Sequence, residues 1–156
     1  MAPSARNEQP WRFYVATGAT RLEIGRVVAQ TTAYMREYID TLDPEGFEKA
    51  MVWYSSLGDA PALIAVVVPQ SEDEFTATNR TLSVGAALEN LLLAATGEGL
   101  GACPFTFSYW VKDELAKTLG LSEGHSVACV VAIGWPKDDE TAPRTTRRSD
   151  VAVWLD

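Results

Sequence analysis

Two continuous apolar runs dominate the pattern of hydrophobic and polar positions. Ala60 to Pro69 (Ala-Pro-Ala-Leu-Ile-Ala-Val-Val-Val-Pro) and Ser126 to Trp135 (Ser-Val-Ala-Cys-Val-Val-Ala-Ile-Gly-Trp) lack the alternation of a half-exposed strand and predict strands covered on both faces. A third run, Trp11 to Ala16, is rich in aromatic and β-branched residues and ends at Thr17-Gly18, as a short strand does. Between the strands the period becomes helical. Thr20 and Glu23 have capping-box spacing, and Ile24, Val27, Val28, Met35, Tyr38, Ile39 and Leu42 recur at helical intervals, which predicts one amphipathic helix up to Asp43-Pro44. Asp43 then caps a second helix with Pro44 in its first turn, a buried stripe of Phe47, Ala50, Met51, Tyr54 and Leu57, and Gly58 as its end.

The later chain follows the same logic. The acidic segment Gln70 to Phe75 reads as a surface loop, with Glu72, Asp73 and Glu74 in solvent and without the spacing of a metal site. Thr81 to Thr96 is apolar nearly all the way round, as in a helix enclosed by protein, and Gly85, Ala86 and Ala87 make part of it thin enough for a close backbone approach. Gly97-Glu98-Gly99-Leu100-Gly101 is a helix stop and turn. It follows a helix and precedes a strand, the reverse of a dinucleotide-binding glycine loop. Val111 to Leu119 is a short helix ended by Gly120, Lys137 to Thr146 is a polar connector, and Val151 to Leu155 is an apolar, strand-like arm costly to leave in water. Strand and helix runs are mixed without repeats, so the reading is one α+β domain over residues 1–156, with residues 137–156 as connector and arm.

Composition narrows the function classes. The chain has 156 residues, 47% of them hydrophobic, enough for a sizeable core. A net charge of −8 argues against a nucleic-acid partner, which requires clustered basic side chains. Arg144, Arg147 and Arg148 nevertheless lie together and suit one small anionic group, or simply a solvated tail. Cys103 and Cys129 stand among apolar residues and read as small buried hydrophobes, neither disulfide nor metal ligands. No apolar run reaches the roughly 18 to 20 residues that cross a bilayer and no leader precedes Pro3, so the expectation is a cytoplasmic protein. His125, the single histidine, has no nucleophile or carboxylate in catalytic order and reads as a surface loop residue. Trp53 and Tyr54 fit a core stripe better than a substrate lid.

The chemistry concentrates in the opening loop, Pro3-Ser4-Ala5-Arg6-Asn7-Glu8-Gln9-Pro10-Trp11. Prolines restrict both ends and push the residue before each toward extended conformations, so the loop can be stiff without regular hydrogen bonding. Between them a hydroxyl, a guanidinium and two amides can face a planar polar heterocycle. This run resembles the Pro-Ser-x-x-Asn-x-Gln-Pro-Trp loop of the nitroreductase family of FMN-dependent oxidoreductases. Asn90-Leu-Leu-Leu-Ala-Ala95, the Gly-Leu-Gly-x-Cys element ending at Cys103, and Gly134-Trp135-Pro136 resemble further segments of that family.

The resemblance implies a mostly antiparallel sheet flanked by helices, and a homodimer with flavin at its interface, the Asn90 helix at its core and the C-terminal arm exchanged between subunits. It implies FMN as cofactor, NADH or NADPH as reductant, and a nitro, quinone or enone acceptor. Ser4 and Asn7 would contact the flavin, with Ala5, Arg6 and Gln9 as loop neighbours. The backbone of Pro104, Phe105 and Thr106 would approach the reactive edge of the ring, with any amide donor coming from Phe105 or beyond because Pro104 has none. The family's basic Arg-x-Ser-x-Arg stretch is not found ahead of Pro3, so Arg144, Arg147 or Arg148 would meet the phosphate, with Arg6 and Arg12 also available. That difference and the bulky Phe105 and Phe107 after Cys103 keep a second reading in view, a non-catalytic dimer that binds flavin weakly or not at all.

Overall fold

The computed structural model describes residues 1–38, 43–137, 146 and 148–155. Four antiparallel strands, β1 (Arg12–Ala16), β2 (Ala62–Pro69), β3 (Gly101–Phe105) and β4 (His125–Gly134), form one sheet in the order β1-β2-β4-β3. Both predicted all-apolar strands are the inner pair, which explains their missing alternation. Leu63, Ala65 and Val67 of β2, with Val130 and Ala132 of β4, enter one core layer; Val66, Cys129 and Val131 enter the other. A bulge lets Val66 face Cys129 and Val67 face Val127, leaving Ala128 as the extra, exposed residue.

On the first face pack α1 (Gly18–Ala29), α3 (Pro44–Ser56) and α5 (Lys112–Thr118), contributing Ile24, Val28, Tyr54 and Leu115 to the core. The opposite face carries α4 (Glu74–Gly97), through Val84, Leu88, Leu91 and Leu92. The predicted single helix from Thr20 is two, because α1 starts at Gly18 and stops at Ala29 before α2 (Thr32–Tyr38) begins. At the break the Thr31 amide donates to Val28 O (2.9 Å) and Thr32 Oγ1 donates to Ala29 O (2.7 Å). These local bonds compete with helix propagation, as hydroxyl residues do. Ile39 and Leu42 of that expected stripe lie outside the described residues.

Asp43 caps α3 as expected, accepting the Gly46 amide at 2.7 Å, but the helix ends on Leu57, itself left-handed (φ 54°), one residue before Gly58. The acidic loop is shorter than expected: Asp73 accepts the Thr76 amide (2.8 Å) as the cap of α4, so Glu74 and Phe75 are already helical. Nor does this chain enclose α4 completely. Leu82 and Leu93 are 69% and 61% exposed on its outer side, and Phe13 and Val15 are exposed on edge strand β1. Residues 150–155 have no regular structure, and Val151, Val153, Trp154 and Leu155 stand in solvent. A strand-like arm needs a free sheet edge to pair with, and none is engaged here.

Candidate functional site

The opening loop is more ordered than its prolines predict. Asn7 N donates to Ser4 O (3.1 Å) and Glu8 N to Ala5 O (3.0 Å), closing a 3₁₀ turn over Ala5–Asn7. Gln9 N donates to Ser4 Oγ (3.0 Å), and Gln9 Nε2 donates to Asn7 Oδ1 (3.1 Å). Three of the four residues from Arg6 to Gln9 are left-handed: Arg6 (φ 53°), Asn7 (φ 56°) and Gln9 (φ 49°), with Glu8 right-handed (φ −63°). Gln9 was expected to be extended before Pro10; the Ser4 hydroxyl that captures its amide holds it otherwise. Each such backbone costs on the order of 1–2 kcal/mol for an ordinary residue, less for asparagine. Strain of this kind persists only where the surroundings over-determine it, and it concentrates at ligand-holding segments.

The surroundings are α4 and the end of β2. Ala5 N donates to Ser83 Oγ (3.3 Å), and the Arg80 guanidinium meets the Glu8 carboxylate at 2.7 Å while donating to Gln70 O at 2.9 Å. Pro3, Ser4 and Ala5 line a cleft of about 280 Å³ against Asn79, Leu82, Ser83 and Ala86. Arg6, Asn7 and Gln9 remain exposed. Arg6 also lies near the cap of α4. The Thr76 hydrogen bonds hold the Asp73 carboxyl below the usual range, and the Arg6 charge lowers it further.

Around Cys103 the structure corrects two expectations. Cys103 is exposed, whereas Cys129 is buried as predicted. β3 is an edge strand, which is why it tolerates Pro104 and its missing donor. Phe105, the bulky residue after it, does not stand out toward a ligand. Its ring is buried between Trp53 (6.0 Å, edge-on) and Tyr54 (5.9 Å, edge-on), while Thr106 and Pro104 are exposed. Phe107 stacks on Trp110 (5.2 Å), and Trp110 on the exposed Tyr34 (6.2 Å), so an aromatic wall runs from the core to the surface beside the turn. Trp53 and Tyr54 are core-packing residues, as their spacing implied. Burial, and then the neighbouring Cys103, push the Tyr54 hydroxyl up.

Partial desolvation by its neighbours raises the thiol of exposed Cys103, and burial pushes that of Cys129 up to about 11. At pH 8, native protein is expected to yield one slowly reacting thiol per chain with a disulfide reagent, faster as pH rises, and the second only in denaturant. Two native thiols of equal rate would contradict the buried position of Cys129.

Arg144 and Arg147 lie outside the described residues; Arg148 is exposed and grips Asp150 with both fork nitrogens (3.0 and 2.9 Å). Arg12 is exposed on β1. His125 is the first residue of β4, not a loop residue, and its ring nitrogen lies 3.4 Å from Glu123 O. Among the described residues no group of three or more His, Cys, Asp or Glu side chains could hold a metal ion, and no helix is long and apolar enough to cross a membrane. The loop and the Cys103 turn are not brought together within one chain. They belong to opposite edges of the sheet, with β2 and β4 between them.

The sequence model of the nitroreductase family matches residues 1–135. The chain belongs to the nitroreductase family. Among its relatives, the 5,6-dimethylbenzimidazole synthase of Rhodospirillum rubrum is 29% identical over 94% of this chain and 72% of its own length. A nitrobenzene nitroreductase of Ectopseudomonas oleovorans is 27% identical over 86% and 71%. The FMN-dependent nitroreductase of Mycobacterium smegmatis, solved in complex with NADPH, superposes with a TM-score of 0.77 at 16% identity, over 99% of this chain and 82% of that one. The nitroreductase fold is therefore established, and family membership makes the chain an oxidoreductase. Sequence reasoning did not find Arg80 and Ser83 as the partners of the opening loop. Their only local signal is a spacing of three on one helix, which places them on one face.

Proposed function

We propose that this nitroreductase-family chain is an FMN-dependent NAD(P)H oxidoreductase that works as a homodimer. The observation that carries the reading is the strained opening loop, which presents Arg6, Asn7 and Gln9 outward with its backbone tied down. The residues present fit a flavin. The Ser4 hydroxyl and the Asn7 amide can donate to ring carbonyl and ribityl oxygens, Arg6 adds a cation beside them, and exposed Pro104 in β3 and Thr106 just after it give a surface against which a ring edge can rest. Because Phe105 turns into the core, its bulk leaves that approach open. FMN held there would supply two-electron redox chemistry, with NADH or NADPH as reductant and a nitro compound, quinone or enone as acceptor.

The chain's own residues bind, orient and shield. Ser4 and Asn7 hold the polar edge; Arg144, Arg147 or Arg148 supplies the phosphate partner through a two-pronged guanidinium contact. Since loop and turn lie on opposite sheet edges, a complete site takes the loop of one copy and the turn of another. The exposed Leu82 and Leu93 of α4, and the apolar arm from Val151, give that second copy a surface. Sedimentation equilibrium is expected to return twice the 17.0 kDa chain mass; a monomer at all concentrations would contradict the interface.

Steady-state oxidation of NADH or NADPH with menadione or nitrobenzene tests the activity. Turnover that requires added FMN supports it, and no turnover with FMN present removes it. The second reading, a dimer with little or no flavin affinity, draws on Arg148, whose fork is already occupied by Asp150. Asn7→Ala is expected to weaken FMN binding about tenfold, the loss of one ligand hydrogen bond. Unchanged affinity would remove Asn7 from the flavin contacts.

A further inference from the structure

We propose that Arg80 and Ser83 are positioning residues, a two-point clamp on α4 that holds the opening loop in the left-handed shape its ligand-facing groups require. The inference rests on the flavin reading for the identity of the ligand, and on geometry alone for the clamp.

Three left-handed residues within Arg6 to Gln9 would relax if the loop were free. Its internal bonds, Gln9 N to Ser4 Oγ and Gln9 Nε2 to Asn7 Oδ1, link its two ends but do not anchor it to the rest of the protein. Placement comes from α4. Ser83 is 5% exposed, and its hydroxyl donates to Asn79 O (2.7 Å), which orients the oxygen's remaining lone pairs to accept the Ala5 amide (3.3 Å). One helical turn earlier, Arg80 sends Nε and Nη2 to the same Glu8 oxygen (2.8 and 2.7 Å), and Nη1 to the carbonyls of Pro69 (3.3 Å) and Gln70 (2.9 Å). The guanidinium thus joins three elements: the loop, the end of β2 and α4. The two tethers bracket the strained pair, Ser83 on Ala5 before it and Arg80 on Glu8 after it. Arg6 and Asn7 are the residues left pointing outward between them.

Only a planar fork can reach all these acceptors at once, so lysine at position 80 would keep the charge and lose part of the contact set. Neither Arg80 nor Ser83 needs to touch the flavin. Their effect passes through the loop.

The test uses the full-length chain as wild type, Arg80→Gln, Arg80→Lys, Glu8→Gln, the Arg80→Gln/Glu8→Gln double variant and Ser83→Ala. Amide hydrogen exchange, without flavin, is followed on the peptide from 1 to 10, with a β4 peptide as internal reference. FMN affinity is measured separately by fluorescence quenching. Arg80→Gln and Ser83→Ala are expected to speed exchange of the loop about three- to tenfold while the β4 reference is unchanged. FMN binding should weaken by a similar factor. The double variant should match Arg80→Gln, because that single already removes the Glu8 tether; Glu8→Gln should be milder, because Arg80 keeps its bonds to Pro69 O and Gln70 O, and Arg80→Lys should fall between wild type and Arg80→Gln. Unchanged loop exchange in both Arg80→Gln and Ser83→Ala overturns the clamp. Faster loop exchange with unchanged FMN affinity overturns the positioning role. Wild-type protein that binds no FMN removes the flavin reading instead, and the exchange data still decide whether the clamp exists.

Discussion

Phe105→Ala is expected to destabilise the fold by about 3–5 kcal/mol, the range for removing a buried phenylalanine ring. Phe105 is 3% exposed at the end of β3, and its ring fills the corner made by Trp53 and Tyr54, both edge-on at 5.9–6.0 Å. Those rings belong to α3, so the substitution loosens the join between edge strand and helix layer as well as leaving a cavity. The adjacent Thr106→Ala is exposed and should shift stability by no more than about 0.5 kcal/mol. Urea denaturation followed by far-UV circular dichroism separates the two. A Phe105→Ala cost below about 1 kcal/mol would mean that this ring is not core, and its bulk would then stand in the way of a ligand at the turn.

Gly134→Ala is expected to cost about 2 kcal/mol by overpacking, with the denaturant midpoint lowered and the slope unchanged. A methyl group at position 134 would lie 2.4 Å from Pro61 Cδ and 3.0 Å from Cγ. A proline ring cannot swing away, so the end of β4 and the entry to β2 must move apart. Gly134 closes the ladder opposite Gly101, which places this contact at the start of the strand that leads to Cys103 and Pro104. Pro61→Ala in the same chain should recover most of the loss. If the double variant is as unstable as the sum of the singles, the close approach of Pro61 is not the cause.

The legible parts of the fold were those with local causes. β2 and β4 stood out because burial on both faces removes alternation, and the start of α3 because Asp43 and Pro44 are adjacent. The break between α1 and α2 was hidden. Ile24, Val28 and Met35 keep the helical stripe running through it, while the interruption is made by the Thr31 amide and the Thr32 hydroxyl. The early start of α4 depended on Asp73 serving as a cap, which an acidic run disguises.

The candidate site divides in the same way. Ser4, Asn7 and Gln9 stand out as candidates because their order resembles a family loop, but the tie from Ala5 to Ser83 spans 78 residues and that from Glu8 to Arg80 spans 72. No local pattern encodes such pairs. Side-chain direction on β3 was equally illegible: Phe105 follows Pro104 in sequence, yet only the pairing of Phe105 with Val130 in the sheet determines that its ring enters the core.

The proposed role of the opening loop is to hold FMN. Titrating purified protein into a fixed concentration of FMN and following flavin fluorescence tests it most directly, with bound flavin counted per chain after removal of free ligand. Saturable quenching is expected, with one flavin per chain and a curve displaced to higher protein concentration in Asn7→Ala. Fluorescence that stays constant across the titration, with no flavin retained, would contradict it.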